Sequence, residues 1–148
     1  MKSERVRWEF LAVLLIPIGI GVGVWATTGA ERKPEVPLPA LTAGLLEQLA
    51  DDPAAQHEAK GLFTASCAAC HGAEGQGAVG PNLTDAAWLH GSAPLQIHAS
   101  ITTGFPDKGM APFKNLLGER KVRLLAGYVL TLKGKNLKGK PPEGVTEP

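Results

Sequence analysis

Cys67-Ala68-Ala69-Cys70-His71 is where residue types and spacing in this 148-residue chain converge on a chemistry. Both cysteines of the chain lie in it. Two intervening residues place the thiols on about one helical turn. There they can add to the two vinyl groups of a haem, and the adjacent histidine becomes an iron ligand. Other uses of the pair fit less well. A structural zinc site takes four ligands, commonly two such pairs, and the remaining candidates are His57, His90 and His98. A thioredoxin-type pair has no need of the histidine and sits in a βαβ setting, yet no alternating apolar pattern runs through the chain. A disulfide closed over two residues is strained. One covalent haem c uses all three residues, with Cys67 and Cys70 attached and His71 on the iron. It also suits the composition: only 5% of residues are aromatic, and a porphyrin supplies the large apolar body they do not.

The second axial ligand follows from the short supply of candidates. Apart from Met1 the chain has one methionine, Met110, in Lys108-Gly109-Met110-Ala111-Pro112-Phe113. A lone methionine is often core filler, but glycine, lysine and proline around it read as a loop able to bring a thioether to the iron. His98 is the alternative, on an expected helix. Trp88 is the one tryptophan after residue 30; its indole N–H suits a haem propionate, or the ring simply packs in the core. Iron held by His71 and Met110 has no open position for a substrate, so the expected role is electron transfer, without catalysis. A displaceable Met110 would instead suit a sensor or peroxidase.

The elements that must position these residues are helical. Asp51-Asp52-Pro53 is a helix start, an acidic cap before a proline at the first position. This helix should run to about Ser66 and deliver Cys67, with Phe63 packed on a C-terminal helix and Ala59 small enough for a close crossing. Gly72, Gly75, Gly77 and Gly80 make residues 72–80 a loop, with its backbone expected near the haem edge. Ser92-Ala93-Pro94 opens a second helix ending before Gly104. Val122, Leu125, Val129 and Leu132 share one face of a third, widened by Leu124 and Tyr128. The fold class is all-α.

The totals conceal segments of opposite character. Net charge is +1 and mean hydropathy +0.01. Residues 31–104 sum to −5 and residues 105–140 to +7. Such a balance excludes a nucleic-acid binder driven by gross positive charge. Lys108, Lys114, Arg120 and Lys121 are expected to ring the haem edge and steer an acidic redox partner. Residues 10–30 carry no charge; as a helix they would extend ~32 Å, enough to span a bilayer, with Trp8 and Trp25 at the ends. They read as a transmembrane anchor, with a cleaved signal peptide as the alternative. The expected organisation is a cytoplasmic N-terminus (1–9), the anchor (10–30), a Pro-rich linker (31–52), a haem domain (53–134) and a flexible tail (135–148). Leu45, Leu46 and Leu49 in the linker form either one amphipathic turn on the domain or nothing ordered.

From about Ala54 to Gly134 the chain resembles the single-haem cytochrome c domain. It looks closest to the membrane-anchored cytochrome c subunits of cbb-type haem–copper oxidases. The resemblance is carried by Leu62-Phe63, Cys67-Ala-Ala-Cys70-His71-Gly72, Gly80-Pro81-Asn82-Leu83-Thr84-Asp85, Trp88-Leu89-His90-Gly91, Ile101-Thr102-Thr103-Gly104, Met110 and the run 125–132. It implies that the Pro81 carbonyl accepts the free ring N–H of His71. It further implies a cytochrome c fold, a respiratory partner such as a terminal oxidase, and a bacterial inner membrane with the haem domain on the periplasmic side. A quinol-oxidising or dehydrogenase complex, or a free-standing anchored shuttle, would use the same domain. The chain departs from the family pattern in having one haem motif where two are usual, and Ala111 where proline follows the methionine.

Overall fold

The computed structural model describes residues 37–147, and the expected anchor at 10–30 lies outside them. Among the described residues no helix is long and apolar enough to cross a membrane. Helix α1 (Ala43–Asp51) starts where the Thr42 hydroxyl accepts from the Leu45 N–H at 3.1 Å. Helix α2 (Pro53–Ser66) starts as the sequence suggests: one Asp52 carboxylate oxygen accepts from the Ala54 and Ala55 N–H groups at 2.8 and 3.3 Å, and Pro53 occupies the first turn. It hands over at Cys67 to the one-turn helix α3 (Ala68–His71). After a long loop come β1 (Ala87–Trp88), α4 (Pro94–Thr103), a 3-10 turn at Pro106–Lys108, the short α5 (Phe113–Leu117), α6 (Glu119–Leu132) and β2 (Val145–Thr146).

Helix α6 is the element the others pack on. Its expected stripe is buried throughout, at Val122, Leu124, Leu125, Tyr128, Val129 and Leu132. Helix α2 meets it with Ala59 and Phe63; the Phe63 ring lies 5.1 Å from that of Tyr128, tilted by 50°. Fully burying one such side chain contributes about 1.5–3 kcal/mol, so this crossing is a principal source of stability. Helix α4 adds Ile97 and Ile101 from another side.

Three sequence expectations are revised here. Residues 43–51, assigned to the linker, form α1, and Leu46 is fully buried in the same core cluster as α2 and α6. The packed unit therefore begins near residue 41, upstream of the boundary expected at 53. Residues 135–147, expected as a flexible tail, run back across the domain as a strap, held by backbone hydrogen bonds to Gln76, Thr84 and Ala86. The all-α description gains one two-residue antiparallel pair, Ala87 with Thr146 and Trp88 with Val145. Two residues are too few to leave an alternation in the sequence.

His98, the alternative iron ligand, is buried and committed elsewhere. Its Nε2 lies 3.1 Å from Oε1 of Glu119, which also accepts from Nε of Arg123 at 2.8 Å. The Lys114 ammonium lies 3.7 Å from the other oxygen. The Arg123 hydrogen bond, with help from the His98 and Arg123 charges, outweighs partial burial and holds the Glu119 carboxyl below the usual carboxylate range. Glu119 thus joins α4 to α6 as an ion.

Two measurements check this core. Leu46→Ala should cost about 2–4 kcal/mol in denaturant unfolding, as for a fully buried leucine. A residue in a free linker would cost nothing. Glu119→Gln should cost about 1–2 kcal/mol near pH 7, since it weakens charge-assisted bonds that are partly exposed. Because the folded carboxyl titrates lower than the unfolded one (about 4.3), that stabilisation is complete above the unfolded value. It is lost as pH falls through the lowered folded one, so the gap between the two proteins should close in acid.

Candidate functional site

Helices α2 and α3 deliver the motif, and the loop after it folds back to meet its own histidine. The Gly77 N–H donates to the His71 carbonyl at 2.6 Å and the Gly80 N–H to the Cys70 carbonyl at 2.8 Å. This return brings the Pro81 carbonyl within 3.0 Å of Nδ1 of His71. A carbonyl only accepts, so Nδ1 must carry the ring proton and Nε2 must keep its lone pair. Burial lowers the His71 pKa, the nearby Lys140 charge adds to this, and the bond to Pro81 opposes both. The neutral ring is the ligating form. A Cβ on Gly80 would lie 2.9 Å from the His71 ring, so a glycine is needed for the loop to pass this closely. The glycine loop makes two close approaches to protein, Gly80 to His71 and Gly77 to the Asn82 backbone, and its Val79 and Gly80 also line the cavity that the motif faces.

Cys67, Cys70, His71, Pro81, Trp88 and Met110 line one cavity of about 390 Å³. Ile97 and Ile101 from α4, Leu125 and Val129 from α6, Phe105 and Phe113 complete apolar walls. Met110 is more firmly placed than its glycine-flanked sequence suggests. Phe105 and Met110 exchange both backbone hydrogen bonds, at 2.8 and 3.1 Å, around the Pro106–Lys108 turn. The thioether therefore projects from a closed hairpin. His90 lines the same cavity with its ring stacked on Phe105 at 3.7 Å, whereas His98 does not reach it. Of the four basic residues expected around the site, only Lys108 lines it. Arg120 makes a bidentate pair with Glu58 at 2.7 and 2.8 Å, and Lys114 faces Glu119.

Sequence reasoning missed Phe105 and Phe113. Their signal was available, because they flank the methionine loop on both sides with the chain's scarce aromatics.

The donor set and the cavity fit a haem. Burial, and secondarily the neighbouring Cys70, push the Cys67 thiol up to about 11. A thiol-disulfide redox centre needs the opposite, a depressed thiol, and no group of three or more metal-binding His, Cys, Asp or Glu side chains occurs among the described residues. Trp88 is 8% exposed, and its indole Nε1 has no hydrogen-bond partner among the described residues. An unpaired buried donor in a cavity wall costs about 1–3 kcal/mol, and a carboxylate arriving with the group in the cavity would satisfy it.

Comparison with known proteins gives the same direction. Residues 54–129 match the family described as cytochrome c oxidase, cbb3-type, subunit III. Among curated proteins the chain is 38% identical over 120 residues to the cbb3-type cytochrome c oxidase subunit CcoP of Rubrivivax gelatinosus, covering 74% of this chain and 39% of that protein. It is 41% identical over 88 residues to subunit FixP of Azorhizobium caulinodans, covering 54% of this chain and 30% of that one. The chain thus spans about two fifths or less of the length of these relatives. Among solved structures, cytochrome cL from Methylophaga aminisulfidivorans superposes with a TM-score of 0.54 at 19% identity, covering 76% of this chain and 89% of that chain, which shows a shared fold.

Gly80→Ala tests the close passage behind His71. The added methyl must displace the ring, so stability should fall by about 1–3 kcal/mol, as for overpacking. If denaturant unfolding is unchanged, the approach of loop to imidazole is not as tight as described.

Proposed function

The chain belongs to the cytochrome c oxidase, cbb3-type, subunit III family, and from that membership we propose that it is a membrane-anchored c-type cytochrome that passes single electrons to a haem–copper terminal oxidase. The observation that carries this reading is the pairing of His71 Nδ1 with the Pro81 carbonyl in a cavity that Met110 also lines. It leaves Nε2 as a neutral donor in the same apolar enclosure as a neutral thioether.

In this reading Cys67 and Cys70 would hold one haem c by thioether bonds, and His71 and Met110 would ligate its iron. When bound, the haem supplies a reversible one-electron centre at its iron. The protein's residues do the rest. Pro81 orients the imidazole and raises its basicity. Met110 favours the ferrous state and raises the potential. The α4 and α6 side chains exclude water, and the Trp88 indole donates to a propionate. With two protein ligands on the iron no position would be left for a substrate, and the domain would act as a carrier. Lys108 is the cation placed to meet an acidic partner, and Val79 and Leu89, both cavity-lining and exposed, give that contact an apolar centre. Residues 10–30 are the membrane anchor, residues 1–9 are cytoplasmic, and the haem domain stands on the periplasmic side of the bacterial inner membrane.

Met110→His is the direct test. The haem-loaded protein should show covalent haem and the weak long-wavelength Met–Fe(III) absorption, and its ferrous form should not bind carbon monoxide rapidly. The variant should lose that absorption and shift to a markedly lower potential. If the absorption is absent before substitution, Met110 is not the ligand; rapid carbon monoxide binding would point to a sensor or peroxidase.

A further inference from the structure

The strap, residues 134–147, lies beyond the residues 54–129 that the family match covers, and family membership does not account for it. Its composition suggests a solvated tail, but its hydrogen bonds converge on the segment that follows Pro81. The Asn136 N–H donates to the Thr84 carbonyl at 2.8 Å, and the Leu137 N–H to the Thr84 hydroxyl at 3.0 Å. The same hydroxyl donates to Oδ1 of Asn82 at 2.7 Å. The Asn82 amide in turn donates to the carbonyls of Leu137 and Lys140, each at 3.4 Å. Asn82 and Thr84 are buried, so water competes little for these bonds.

The strap grips the loop at its other points too. The Lys140 N–H donates to the Gln76 carbonyl at 2.9 Å and its ammonium to the Val79 carbonyl at 3.1 Å. Val145 pairs with Trp88, and the Ser92 N–H donates to the Glu147 carboxylate at 2.7 Å. Any Cβ on Gly139 would strike the Gln76 carbonyl, and any on Gly144 the Trp88 backbone. The strap is seated backbone against backbone at both ends of the segment that contains Pro81.

We propose that this strap is a positioning element for the iron ligand: through Asn82 and Thr84 it holds the Pro81 carbonyl against Nδ1 of His71 and so sets the potential of the iron that His71 ligates. This rests on the electron-carrier reading above. An imidazole whose N–H is firmly bonded to a carbonyl is a stronger donor to iron. Stronger donation favours the ferric state and lowers the potential. Releasing the strap frees the loop, weakens that bond and raises the potential. The Lys140 charge acts in the other sense, because a cation near the iron favours the ferrous state.

Two variants of the haem-loaded protein separate these effects. Truncation of residues 137–148 removes two lysines and two glutamates and so keeps the formal charge, but it takes Lys140 with it, so its readout is the ring proton of His71 and not the potential. Thr84→Val keeps the side-chain shape and the whole strap but removes the hydroxyl that joins strap to loop. Thr84→Val, which leaves Lys140 in place, should raise the midpoint potential. Both variants should speed exchange of the His71 Nδ1 proton in the ferrous protein by about tenfold, the scale of one weakened hydrogen bond. If truncation exposes the amides of residues 82–88 to exchange while ring-proton exchange stays constant in both variants and the Thr84→Val potential does not move, the strap is only a cover and the proposal is overturned. A protein that carries no covalent haem before any substitution fails the electron-carrier reading itself, which is a separate and recognisable outcome.

Discussion

The hydrogen bond between Nδ1 of His71 and the carbonyl of Pro81 is the contact on which the rest of the site depends. A bare histidine has two equivalent ways to carry its proton. A carbonyl 3.0 Å from one nitrogen removes that choice, and in the neutral ring the other nitrogen keeps a lone pair that could bind a metal. Proline suits the position because it offers a carbonyl without an N–H of its own. The contact spans only ten residues of chain, but it exists only if the intervening loop doubles back. That return is secured by backbone bonds to Cys70 and His71 and by the missing side chain at Gly80.

Around this bond the structure separates polar from apolar work. The cavity walls come from α4, α6 and the two phenylalanines flanking Met110. Charges are gathered outside the cavity, in the Glu119 cluster between α4 and α6 and in the Glu58–Arg120 pair between α2 and α6. An exposed pair such as Glu58–Arg120 contributes about 0–1 kcal/mol. Its larger consequence is that Arg120 is committed to α2 and does not stand at the cavity mouth. The Glu119 cluster does the same for His98, the alternative ligand that the sequence offered.

How far each element was legible depended on how local its cause is. The start of α2 was readable because Asp52 and Pro53 act on neighbours within one turn, and the α6 stripe was readable because burial repeats with the helical period. Helix α1 was not. A nine-residue segment after alternate prolines is too short to be helical without a partner, and its partner, α6, lies some seventy residues away in sequence. The strap was hidden for a different reason. Lysine, glycine and proline give it the composition of a solvated tail, while its bonds are made by backbone groups that every residue carries. The glycines were read as close approaches, which they are, at the His71 ring and the Asn82 backbone.

The sequence alone determined the chemistry available. It specified a Cys67-x-x-Cys70-His71 motif that uses every thiol, a single methionine after the first residue, and helices of the right kind to enclose a flat apolar group. These follow from residue types and spacings within a turn or two. The tertiary structure decided which of those residues meet. It selected the tautomer of His71, pinned Met110 in a hairpin, withdrew His98 and Arg120 into ion pairs, and laid the last residues behind the ligand loop. Each of these is a directional contact between segments distant in sequence, and such contacts depend on distance and angle in the folded chain, which composition and periodicity do not encode.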